Sequence, residues 1–247
     1  MTKSQTMHTL PRSFQFPTTR WSLVVAAADS HRKDARSALV SLCEHYWYPL
    51  YAYLRRRGYP ADDAQDLTQE FFIRVLEGRY LDRADPEKGR FRSFILTSLK
   101  FFVADEADRD RARKRGGGRV VSLEFSSGVE RYQRETAHDE TPERIFERRW
   151  ALSLLDRVID ELRAEFVQRG HPEHFERLKV FLLGQSDAPY AALAREMNTS
   201  EGALKVAIHR LRKRYRELFR QAIADTVADP LEVESELRFL AAALAKK

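Results

Sequence analysis

The sequence predicts an all-α fold: two small helical domains joined by a linker, with an amphipathic helix after the second. Three features predict it. Apolar residues recur at helical spacing in one segment after another, no stretch is β-rich, and Gly116-Gly117-Gly118 breaks the pattern near its middle. The boundaries read as 14–115 for the first domain, 116–141 for the linker, 142–225 for the second domain and 226–247 for the extension.

The first helix is expected over Asp34–Arg57, with Ala35, Ala38, Leu39, Leu42, Cys43, Tyr46, Leu50 and Leu54 on its apolar face and Gly58 as its stop. Pro60 with Asp62 and Asp63 opens the second, because acids favour a helix's first turn. It runs to about Glu77, with a core stripe of Ala64, Leu67, Phe71, Val75 and Leu76. On this reading Asp63, Asp66, Gln69, Glu70 and Arg74 face elsewhere. Residues 79–90 read as a loop punctuated by Asp85-Pro86 and Gly89. A third helix, 91–115, starts apolar and becomes highly charged.

After the polar stretch 119–140, Thr141-Pro142 supplies a hydroxyl cap and a proline at the first helical position. Ile145, Leu152, Leu155, Ile159, Leu162 and Phe166 carry that helix to Arg169. A helix over 172–183 follows, then a short helix 189–197 and a long one 200–224, separated only by Asn198-Thr199. Asp229-Pro230 starts the last helix, with Val233, Leu237, Leu240, Ala241 and Leu244 on one face.

Composition narrows the function. Hydrophobic residues make up 43% of the 247 positions, and no run approaches the roughly 18 apolar residues that a spanning helix needs. No secretory signal is legible at the start, and no membrane partner is expected. The single cysteine, Cys43, excludes an internal disulfide and a multi-cysteine zinc site, and fits a reducing cytoplasm. The net charge of +6 is localised. Lys205, Arg210, Arg212, Lys213, Arg214, Arg216 and Arg220 face one acid, Glu217, over 205–220; a second basic run, Arg109 to Arg119, includes Arg111, Arg113, Lys114 and Arg115. Two separated basic patches suit a polyanion touched at two places.

The sharpest local pattern is 190–215. A short helix, a tight turn and a long basic helix make a helix-turn-helix. Ala191, Leu193, Ala194 and Met197 are expected to pack against Ala203, Leu204, Ala207, Ile208 and Leu211. Ser200 caps the second helix, and Glu201, Gly202, Lys205, Val206, His209 and Arg210 then face a DNA groove. Arg212, Lys213 and Arg216 lie further along, suited to phosphates.

The frame Tyr190…Leu193-Ala194…Ser200-Glu201-Gly202-Ala203-Leu204-Lys205…His209-Arg210-Leu211-Arg212 resembles the fourth-region motif of extracytoplasmic-function sigma factors. The stretch from Asp63-Ala64-Gln65-Asp66-Leu67 to Val75-Leu76 resembles that family's second-region helix. Arg90-Phe91-Arg92-Ser93-Phe94-Ile95-Leu96, with the basic run after it, resembles its promoter-melting segment. The likeness covers about 35–115 and 145–220, in the right order.

It implies a winged-helix-like, sigma region 4 type of second domain and two partners, core RNA polymerase and promoter DNA, with an anti-sigma factor or other regulator as a further one. By the resemblance, Asp63, Asp66, Gln69, Glu70 and Arg74 dock on the clamp helices of the polymerase's largest subunit. Loop 79–90 would help hold a flipped base of the −10 element, with Tyr80 and Phe91 as aromatic candidates, each equally a core residue. Lys100, Arg109, Arg111, Arg113 and Lys114 would meet the −10 backbone; Ser200, Glu201, Gly202, Lys205, Val206, His209, Arg210, Arg212 and Lys213 would read the −35 element.

This chain departs from the pattern in places. Asn198 stands where the family often has glycine, Ala207 where it often has arginine, and the helix 230–246 lies beyond the minimal pattern. That helix is expected to pack on the second domain, with cover for an apolar groove or a sensor surface as alternatives.

Competing classes fit less well. A helix-turn-helix regulator acting without polymerase would usually need a dimer, because one recognition helix reads few bases, and it leaves 63–76 without a role. An adaptor or anti-termination partner that binds polymerase alone is a third reading, which promoter-duplex binding by holoenzyme but not by core would argue against. No catalytic motif, cofactor site or metal set is legible; His171 and His174 flank a proline-marked turn without further ligands, so the chain does not read as an enzyme.

Overall fold

The computed structural model describes residues 33–77, 80, 90–113, 140–182, 190–227 and 230–245, with side chains described from residue 45 in the first stretch, to 109 in the third and from 231 in the last. Among these residues every regular element is helical. In chain order they are α1 (Lys33–Arg56), α2 (Ala61–Leu76), α3 (Phe91–Arg113), α4 (Pro142–Gln168), α5 (Pro172–Leu178), the 3-10 turn Lys179–Phe181, α6 (Tyr190–Glu196), α7 (Glu201–Ala224), the 3-10 turn Pro230–Glu232 and α8 (Val233–Ala245). The expected all-α class holds there. The expected linker lies outside the described residues except for Glu140 and Thr141, as do positions 79 and 81–89 of the expected loop.

Local chemistry sets the ends as expected. Gly58 and Gly170 adopt φ of 96° and 79°, a left-handed geometry open to glycine at little cost. Each closes a helix: the Tyr59 amide donates to the Leu54 carbonyl (3.2 Å) and that of His171 to Phe166 (2.9 Å). At the start of α4 the Thr141 hydroxyl accepts from the Arg144 amide (3.3 Å), with Pro142 at the first position. The helix expected over 172–183 is shorter, since α5 tightens into the 3-10 turn after Leu178.

α1 organises the interior. From Tyr46 to Leu54 nearly every side chain is buried, including Trp47, Tyr48, Tyr51 and Tyr53. A helix apolar on all sides needs neighbours on all sides. Here α1 packs against both α2 and α4, so it touches both halves of the chain. Trp47 stacks on Tyr51 at 5.1 Å, and Tyr46 meets the Phe91 ring edge-on at 5.2 Å. One buried cluster therefore runs from α1–α3 through Phe146, Trp150 and Leu154 of α4 to Leu211 of α7 and Leu240 of α8.

Several expected faces are corrected. In α2, Leu76 is 40% exposed, while Phe72 and Thr68 are buried; the Thr68 hydroxyl donates to the Ala64 carbonyl at 2.6 Å, which lets a polar residue sit inside. In α4 the buried stripe is Ile145, Phe146, Trp150, Ala151, Leu154, Val158 and Leu162, and Leu152 and Leu155 are only half-buried. The phase shifts because α4 answers α1, α7 and α8 together. In α8, Ala241 is exposed and Glu236 lies in the apolar face at 1% exposure.

Candidate functional site

The helix-turn-helix forms from α6 and α7 as expected. Asn198 is the one described non-glycine residue with positive φ, at 54°, which asparagine tolerates better than most residues. The Met197 and Thr199 amides donate to Leu193 and Ala194 (both 2.9 Å), closing α6. The Ser200 hydroxyl then accepts from the Ala203 amide at 3.2 Å and starts α7. Ala194, Leu204, Ile208 and Leu211 are buried, and Leu193, Met197 and Ala207 are partly so. Ala203, expected to pack here, is exposed instead.

The outward face of α7 carries Glu201, Gly202, Lys205, Val206, His209, Lys213 and Arg216, all exposed. A Cβ at Gly202 would meet only the Ser200 hydroxyl, at 4.0 Å, so nothing inside the protein crowds that position. Lys205, His209, Lys213 and Arg216 have no ion pair among the described residues; the Lys205 ammonium lies 5.7 Å from the Tyr190 ring. Arg210, also exposed, and Arg212 border this face. Arg210 sits at the flank, on the rim of a cavity of about 460 Å³ that Leu162, Phe166, Met197 and Leu211 also line. Arg212 is half-buried and donates from Nε to the Phe181 carbonyl at 2.8 Å, which anchors one edge of its guanidinium, and it lines a groove together with Lys205, His209 and Arg216. Arg214 is likewise tied to Glu165. Those hydrogen bonds raise the Arg214 pKa, and burial works against the rise.

The polar face of α2 is divided. Asp62, Asp63 and Asp66 are exposed, with no ion pair among the described residues. Glu70 is half-buried and pairs with Arg74 at 3.1 Å. Arg74 also reaches Glu106 of α3 at 2.6 Å and lies 4.7 Å from the Phe102 ring, so it staples α2 to α3. Burial disfavours its charge, but the bonds to Glu106 and Glu70 outweigh that and raise its pKa. Gln69, expected on the outward face, is buried at 8% exposure. Residue 69 lies midway round the helix between Asp66 and Phe72, at the border of the buried arc, where periodicity alone does not decide inside from outside.

On α3 the expected cations are partly occupied. Lys100 pairs with Glu143 of α4 at 2.7 Å, and the hydrogen bond from Lys100 holds the Glu143 carboxyl below its ordinary pKa. Arg109 is about half exposed and pairs with Glu106 at 2.5 Å. The side chains of Arg111 and Arg113, and all of Lys114, lie outside the described residues. Tyr80 is half-buried with its ring 5.7 Å from Phe71, and Phe91 is fully buried, so both aromatic candidates pack on the core.

A cluster at the start of α3 has no counterpart among the residues expected from sequence. Glu236 of α8 forms ion pairs with Arg90, at 2.8 Å, and with Arg92. The Arg92 guanidinium lies between the Phe239 ring (4.1 Å) and Trp150 (4.9 Å). Burial, helped by the positive charge of Arg90, lowers its pKa to about 10, so it stays charged at neutral pH. The sequence holds one signal for it: Glu236 falls between Val233, Leu237 and Leu240 on the apolar arc, where a carboxylate needs a partner.

Among the described residues no group of three or more His, Cys, Asp or Glu could hold a metal, and no helix is long and apolar enough to cross a membrane. Residues 42–113 match the sigma-70 region 2 family. Over 166 residues the chain is 28% identical to the ECF RNA polymerase sigma factor SigE of Mycolicibacterium smegmatis, covering 66% of this chain and 54% of that protein. The chain thus spans about half the length of the curated relative it matches. No solved structure matches significantly. The region 2 match and this relative together support the extracytoplasmic-function branch of the sigma-70-type factors.

Proposed function

We propose that this chain is a sigma factor of the extracytoplasmic-function type: it binds core RNA polymerase, directs it to promoters and helps melt them. One observation carries the reading. Asp62, Asp63 and Asp66 of α2 lie within the region 2 match, and the same chain carries a helix-turn-helix with outward cations; neither set has an ion pair among the described residues. Opposite charges on separate rigid faces suit two partners of opposite sign.

In this reading Asp63 and Asp66, with Glu70 beside them, dock on the clamp helices of the polymerase's largest subunit. Arg74 holds that helix at a fixed angle to α3, and Gln69 supports it from inside. α3 presents Lys100 and Arg109 to the −10 element, and α7 presents Lys205, Val206, His209 and Lys213 to the −35 element, with Arg210 at the edge. The chemistry of RNA synthesis belongs to the polymerase. The chain supplies position and charge.

Co-purification separates this reading from a regulator that acts without polymerase. Tagged protein is mixed with core polymerase, and the complex is tested for retention of promoter duplex. A stable complex that holds promoter DNA better than core enzyme does is expected. DNA binding with no polymerase association would overturn the reading.

A further inference from the structure

We infer that α8 is an autoinhibitory clasp: Glu236 holds Arg90 and Arg92 against the second half of the molecule, and must release them before the start of α3 takes up −10 promoter DNA. The inference rests on the sigma-factor reading. The clasp is built from both sides. Glu236 is 1% exposed and serves two guanidiniums, Arg90 also donates to the Ser235 hydroxyl at 3.3 Å, and Arg92 is sandwiched between Phe239 and Trp150. α8 is itself seated on the second half through buried Val233 and Leu240 and through an ion pair from Glu234 to Arg220 of α7.

The same division recurs nearby. Lys100 of α3 is paired with Glu143 of α4, and Arg56 of α1 donates to the Glu140 carbonyl at 2.6 Å. Cations of the first half thus end on carboxylates or carbonyls of the second, where a phosphate would otherwise sit. A phosphate cannot share those guanidinium edges with Glu236, because two adjacent anions repel and both Glu236 and Arg92 are buried. Yet the outward cations of α7 have no such cover among the described residues. The closed form therefore covers Arg90, Arg92 and Lys100 at the start of α3 and leaves the outward face of α7 open. Opening requires a ligand that binds the open form better than the closed one, which core polymerase with promoter DNA would be.

The test uses the full chain and a promoter on which holoenzyme is active. Its −10 non-template strand, carrying a fluorophore, is titrated with free wild-type protein, Glu236→Gln and Phe239→Ala, each checked for a cooperative thermal transition. Both variants are expected to bind that strand about tenfold more tightly than wild type, with affinity for the −35 duplex unchanged. Equal binding by folded variants would overturn the clasp.

A second measurement leaves the clasp intact. Spin labels at Thr97→Cys and Arg238→Cys, in a Cys43→Ser background, report the distance between α3 and α8. The distance should lengthen when core polymerase and promoter are added, and an unchanged distance in a transcribing complex would overturn the proposal. If wild-type protein with core enzyme starts no transcript, the sigma-factor reading falls and the clasp with it. If transcription proceeds while α8 stays closed, the clasp alone falls.

Discussion

Replacing Lys205, Lys213 and Arg216 together by alanine isolates the electrostatic contribution of α7. All three are exposed and none has an ion pair among the described residues, so their removal strips charge without breaking a structural bond, apart from the weak approach of Lys205 to the Tyr190 ring. Such surface substitutions change stability by about 0.5 kcal/mol or less each, and the melting temperature should hardly move. Each phosphate interaction removed should flatten the plot of log affinity against log salt by about 0.9, or about 2.7 for three. Between about 50 and 200 mM salt the wild-type affinity should thus fall about 40-fold more than that of the variant. Fluorescence anisotropy with a −35 duplex, repeated across that range of salt, reads both slopes. A variant that binds more weakly with an unchanged slope would refute the assignment of these cations to phosphates.

Other substitutions probe the remaining surfaces. Reversing Asp63 and Asp66 to lysine should lower affinity for core polymerase by about tenfold, chiefly by slowing association, with the melting temperature unchanged; unaltered competition against wild type would reject that docking face. Ser200→Ala removes the cap of α7 and should cost about 1 kcal/mol, seen as a lower denaturation midpoint; no loss would mean that the 3.2 Å bond contributes nothing. The carboxyl of Glu143 titrates below its ordinary 4.5 in the folded protein, so its contribution is present above that value and is lost as pH falls through the folded pKa. Acid titration of wild type against Lys100→Ala should therefore show stabilities that differ at neutral pH and converge below pH 4.5; parallel curves would contradict the pairing.

Much of the fold is legible in the sequence because local signals are strong. Thr141-Pro142, Ser200 and Asn198 mark their turns through hydrogen-bond and backbone chemistry that needs no tertiary context. Buried faces are less legible where a helix meets more than one neighbour. The run from Tyr46 to Leu54 reads as one apolar stripe in a helical projection, yet α1 is enclosed by both α2 and α4. Gln69 and Leu76 exchange inside for outside because each lies near the edge of its helical arc.

The site shows the same limit. The open cations of α7 follow from charge and spacing, whereas the bond from Arg212 to Phe181 and the pairing of Lys100 with Glu143 depend on elements distant in sequence. Glu236 and Arg92 are separated by more than half the chain, and no local pattern links them.

Transcription in vitro with core polymerase and a library of promoter sequences tests the central claim most directly. With this protein added, the enzyme should start transcripts at a restricted set of sequences that share −10 and −35 elements, and core enzyme alone should not. Transcripts absent, or started without sequence preference, would contradict the account.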